Sequence, residues 1–97
     1  MTNTSAAAAP MAIEHDNDRF VGSVDGIEAR LSYRLEGERM VISHTEVPES
    51  IAGQGVAGKL TRAAFEHARA QGWKVRPACA YAAGWAERHP EYASLLA

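Results

Sequence analysis

Two places in this chain hold residue types whose spacing could do chemistry. One is a glycine-bearing loop, Ala52-Gly53-Gln54-Gly55-Val56-Ala57-Gly58-Lys59; the other is a lone Cys79, with His44 and Glu46 upstream of it. A strand-like run ends at Val47-Pro48 just before the loop, and a helix-like run follows it to Gln71. The first amides of a helix have no partner inside it, and they face outward with the positive end of the helix dipole. Gly53 and Gly55 let the main chain approach a bulky anion that a Cβ would push away. The pattern predicts a phosphate or pyrophosphate held at residues 53–59. An ordinary strand-to-helix turn is the alternative that such a loop, taken alone, leaves open.

Cys79 stands where the last strand-like run gives way to the last helix. A small buried filler is one reading. The other is a nucleophile, because the positive end of a helix dipole favours a negatively charged, attacking sulfur. His44 falls late in the strand before the loop, and a period of two puts it on one face with Ile42 and Glu46. If that face looks into a cleft, the imidazole could take a proton from Cys79 or from an incoming amine. A structural, hydrogen-bonded histidine is the other reading. Glu46 is either a second candidate base or a solvated carboxylate. His15, His67 and His89 show no metal-site spacing, one cysteine gives no zinc set, and His67 is expected to be exposed. Tyr81 and Trp85 share a helix face, as core or as cleft lining. Tyr92 is expected to pin the C-terminus against the sheet.

The elements that must position these residues are readable. Residues 1–12, rich in Ala, Thr and Ser, read as a mobile tail, and 13–97 as a single domain. Arg19 to Val24 reads as a strand, and Asp25-Gly26 as a two-residue hairpin turn. Ile27, Ala29, Leu31, Tyr33 and Leu35 alternate with polar residues, as a half-buried antiparallel strand does. After a turn at Glu36-Gly37-Glu38, Arg39 to Val47 forms a third strand. The helix runs from Gly55 to Gln71 with a cap at Gly72, a fourth strand covers Trp73 to Cys79, and Ala80 to Arg88 is a short helix. The order is β-β-β-α-β-α, an α/β (α+β) domain. The strand after the first helix is expected parallel to the one before it, splaying apart at Pro77.

Ninety-seven residues, 46% hydrophobic and 23% charged, suit one globular domain. A net charge of −2 without a cationic cluster in the sequence argues against nucleic acid. No apolar run reaches the ~20 residues of a membrane span, and the N-terminal stretch lacks the form of a secretory signal. The single cysteine calls for no oxidising compartment, which leaves cytoplasm as the default.

Five pieces in this order resemble the GNAT acetyltransferase superfamily, in its minimal single-domain, GNAT-like short branch. They are Ile42-Ser43-His44-Thr45-Glu46-Val47-Pro48, Gly53-Gln54-Gly55-Val56-Ala57, Ala68-Arg69-Ala70-Gln71-Gly72, Pro77-Ala78-Cys79-Ala80-Tyr81 and His89-Pro90-Glu91-Tyr92. Their order and spacing extend the resemblance over about residues 14–95. The resemblance implies an N-acetyltransferase with acetyl-CoA (coenzyme A) as ligand and an unidentified amine as acceptor. It implies a pyrophosphate on the amides of Gly53, Gln54, Gly55, Val56, Ala57, Gly58 and Lys59, and a pantetheine arm beside Thr45, Glu46 and Val47. It also places Cys79 at a position proposed in that branch for acetyl transfer. One departure stands out: the superfamily loop usually opens on Gln or Arg, and Ala52 is here instead, removing one side-chain contact while leaving the backbone cradle. The short branch lacks the N-terminal helices that build an acceptor pocket in larger members. A non-catalytic acyl-CoA binding module is therefore the alternative function, and so small a domain gains from forming a homodimer.

Overall fold

The computed structural model describes residues 12–97, so the expected tail, apart from its last residue, lies outside the described residues. Alternation builds the sheet. Ala29, Leu31 and Tyr33 of β3 (Ile27–Glu36) are buried on one face, opposite Phe20 of β2 (Arg19–Val24) and Ile42 of β4 (Arg39–Glu46). The turn between β2 and β3 is Asp25-Gly26, both at positive φ, which is the twist that a two-residue hairpin needs.

A short strand that alternation alone does not announce precedes these three. β1 (Ile13–Asp16) pairs antiparallel with β2 through His15↔Phe20. What holds it is His15, whose ring stacks on Phe20 at 4.4 Å and hydrogen-bonds the Tyr33 hydroxyl. The sheet runs β1-β2-β3-β4-β5, with β5 (Lys74–Pro77) parallel to β4 as expected.

Helix α1 (Val56–Gln71) lays Val56, Leu60, Ala64, Phe65 and Ala68 on the apolar face, the spacing that its sequence predicts. Its end is closed at Gly72, whose amide and that of Trp73 bond Arg69 and Ala68 carbonyls. Helix α2 (Ala80–Arg88) packs on the same side of the sheet, where Trp85 meets Phe65 at 5.2 Å. The opposite sheet face carries no helix of the described residues and presents Arg30, Arg34, His44 and Glu46. No described helix is long and apolar enough to cross a membrane.

Two expectations are corrected here. Tyr92 does not pin the C-terminus against the sheet; it ties the short 3₁₀ segment Pro90–Leu95 to α1. Its hydroxyl donates to Glu66 Oε2 at 2.5 Å and accepts from Arg62 Nη1 at 2.9 Å, inside a ring contact with Phe65. The sheet is reached by backbone instead, Ala97 N–H to the Val75 carbonyl at 3.0 Å. Tyr92→Phe should therefore cost about 1–2 kcal/mol of stability, because the Glu66 and Arg62 partners lose a nearly buried hydroxyl. Chemical denaturation of the two proteins checks it.

His67 is half-buried rather than exposed. It lies edge-on to His15 at 4.4 Å and to Trp73 at 5.4 Å. Burial first, and then the charge of His15, hold its pKa below the ordinary 6.5. The unfolded chain thus takes up this proton before the folded one. Its contribution to stability is complete above about pH 6.5 and is lost as pH falls through the lower folded-state value. Thermal melts between about pH 7.5 and 5 should show the decline, and His67→Phe should flatten it.

Candidate active site

The site begins where β4 and β5 part. They pair only from Arg39↔Lys74 to Ile42↔Pro77. Pro77 has no N–H to continue the ladder, and the Ile42 carbonyl accepts from both Ala78 N (2.9 Å) and Cys79 N (3.1 Å) as the chain turns into α2. β4 runs on to Glu46 without β5 beside it, so the edge around Thr45–Val47 is open on that flank.

A β-bulge sets which side chains face the fork. Ser32 pairs with His44 but Tyr33 with Ile42, leaving Ser43 as the extra residue, its hydroxyl donating to the Ser32 carbonyl at 3.3 Å. The bulge resets the alternation. Thr45 joins Leu31 on the helix-covered side, while His44 and Glu46 turn to the bare face. The expectation that His44 shares a face with Ile42 is thereby corrected; its pairing with Glu46 stands, Nε2 to Oε2 at 3.2 Å. Glu46 also lies 3.7 Å from Arg30. His44 is mostly exposed and sits across β4 from Thr45, so the fold does not join it to the cysteine.

Cys79 is the N-cap of α2. Its half-buried sulfur accepts the Ala82 N–H at 3.4 Å and stands 3.6 Å from Thr45 Oγ1. Two hydrogen-bond donors can therefore be turned on this sulfur, one from each arm of the fork. Such surroundings suit a sulfur that carries negative charge in passing.

The loop closes the site from above. Ile51, buried, anchors the short turn Glu49–Ile51 after Pro48. Gly53 and Gly55 hold φ of 83° and 77°, and Gly55 is the N-cap of α1 with no side chain capping it. The helical ladder starts with Lys59 N–H to the Gly55 carbonyl at 3.0 Å, which leaves the amides of Val56, Ala57 and Gly58 without intrahelical partners. They border a cavity of about 270 Å³ lined by Val47, Ala52, Gly53, Gly55, Val56, Ala57, Gly58 and Tyr81. No atom stands within 4 Å of where a Cβ on Gly53 or Gly55 would sit. Gln54 and Lys59 are exposed at its margin. Tyr81 lines this cavity while Trp85, one turn on, is core; the pair divides between the two readings that its spacing allows.

Known proteins of one kind match most of the described chain. The sequence profile described as GCN5-related N-acetyl-transferase matches residues 19–95. This chain belongs to that family. Protein NATD1 of Gallus gallus and that of Mus musculus are each 33% identical to it over 86 residues, 84% of this chain and 78% of the relative. Among solved structures, a GCN5-like protein from Staphylococcus aureus matches with a TM-score of 0.72 at 29% identity, covering 89% of this chain and 87% of the other. The chemistry of the GCN5-related family is acyl transfer from an acyl-CoA to an amine. The match covers all five strands but β1, together with both helices.

Proposed function

We propose that this chain moves an acetyl group from acetyl-CoA to an amine, and that Cys79 carries the acetyl group on the way. The observation that carries the reading is the set of unpartnered first-turn amides behind left-handed Gly55, opening onto the β4–β5 fork where Cys79 meets Thr45. The residues present fit the carrier: a diphosphate needs amide donors, space where a Cβ would stand, and nearby positive charge, supplied here by Lys59. Acetyl-CoA supplies an activated thioester carbonyl.

The chain does the rest. Gly53, Gln54, Gly55, Val56, Ala57 and Gly58 hold the phosphates by main chain, and the free edge at Thr45, Glu46 and Val47 offers backbone partners to the amides of the pantetheine arm. The Cys79 sulfur bonds to the acetyl carbonyl carbon as that carbon parts from the carrier sulfur, which leaves with the thiol proton. A neutral amine then takes the acetyl group from Cys79, and the one proton that the amine sheds returns the sulfur to the thiol. Exchange between two thioesters is close to balanced, so the acetylated cysteine should accumulate. Mass spectrometry of the protein incubated with acetyl-CoA should find one added acetyl group, on the peptide holding Cys79, discharged by a reactive amine. Retained coenzyme with neither adduct nor acetylated amine would contradict this reading.

That last outcome would favour the second reading, a non-catalytic acyl-CoA binding module. The helix-free sheet face supports it, because the recesses there, bordered by Arg19, Arg30 and Glu46, open on solvent.

A further inference from the structure

A cleft separates α1 from α2. A second cavity of about 330 Å³ lies there, lined by Gly55, Gly58, Lys59 and Arg62 of α1 and its cap, and by Tyr81, Trp85, Arg88 and His89 beyond them. It shares Gly55, Gly58 and Tyr81 with the cavity at the helix start, so the two adjoin. The chain is net negative, yet three of its ten Lys and Arg residues converge on this one cleft. Only Arg62 is matched by a carboxylate, Glu91 at 3.8 Å; Lys59 and Arg88 form no ion pair among the described residues. Gly58 keeps the cleft open at its floor: a Cβ there would stand 3.5 Å from the Tyr81 hydroxyl and 3.6 Å from Trp85 Nε1.

We propose that this cleft is a phosphomonoester site which reads the 3′-phosphate of coenzyme A, with Arg88 and Lys59 as its ligands. The inference rests on the coenzyme A reading, since the ligand enters from the diphosphate cradle next door. A monoester carries close to two negative charges near neutral pH, so it gains most from unpaired cations in a recess. Arg presents its guanidinium fork to the phosphate oxygens, and Lys adds a point charge. The site makes the protein selective for coenzyme A over the same molecule without that phosphate.

Calorimetry with coenzyme A and with 3′-dephospho-coenzyme A tests it. The wild-type protein should bind the phosphorylated form about tenfold more tightly or better, and the preference should shrink as salt rises. Arg88→Gln, at the exposed end of α2, should remove most of that preference and leave the affinity for the dephospho form unchanged. Equal binding of both compounds by the wild type overturns this inference alone, as does a variant that loses both equally. Failure of the wild type to bind either compound overturns the coenzyme A reading together with it.

Discussion

Gly55→Val should lower affinity for coenzyme A by about a hundredfold or more while the protein still folds. A β-branched residue at a φ of 77° strains the backbone by about 1–2 kcal/mol, and relieving that strain rotates the amides that follow. The new side chain also stands in the open space against which the diphosphate must lie. Two charge-assisted hydrogen bonds lost, at about 1.5–3 kcal/mol each, give the expected factor. Gly72→Val is the matched control, because Gly72 holds a φ of 78° at the far end of the same helix. It should lose similar stability and keep its affinity. Gly55→Asn separates the two causes, since asparagine tolerates the left-handed region but still brings a side chain to the cradle.

The second large effect belongs to Cys79. Cys79→Ser should reduce acetyl transfer by about a thousandfold or more, as loss of a covalent nucleophile does, and should leave coenzyme A binding intact. Serine caps helices well, so α2 keeps its start and the Ala82 amide keeps an acceptor. Cys79→Ala removes the cap as well and should cost about 1 kcal/mol of stability. Steady-state turnover with a panel of amines, alongside the melting temperature of each variant, checks both statements. Undiminished turnover in the serine variant would eliminate the covalent route, leaving direct attack by the amine with His44 or Glu46 removing the proton.

Much of this fold is legible in the sequence because its signals are local. Asp25-Gly26, the alternation from Ile27 to Leu35 and the α1 spacing each specify an element within a short window, and the structure contains them. β1 is not legible that way. Ile13-Glu14-His15-Asp16 carries one aliphatic residue, and its core-side position is filled by a histidine that needs Phe20 and Tyr33 to hold it. The bulge at Ser43 is silent for another reason. Period two assumes no inserted residue, and nothing in Ile42-Ser43-His44-Thr45 marks one, so the assignment of His44 to the Ile42 face fails beyond that point. The glycine loop could be read as an anion cradle because helix ends leave amides free wherever they occur. The contact between Thr45 and Cys79, and the gathering of Lys59, Arg62 and Arg88, join residues far apart in the chain, and only the packing of α2 against α1 brings the latter together.

Titrating isotopically labelled protein with coenzyme A, and following each backbone amide by NMR, tests the central claim most directly. The account predicts that the largest shifts fall on Gly53, Gly55, Val56, Ala57 and Gly58, with smaller ones along Thr45–Val47 and at Cys79. Shifts confined to the bare sheet face or to β1, with the amides around Gly55 unmoved at saturation, would contradict it.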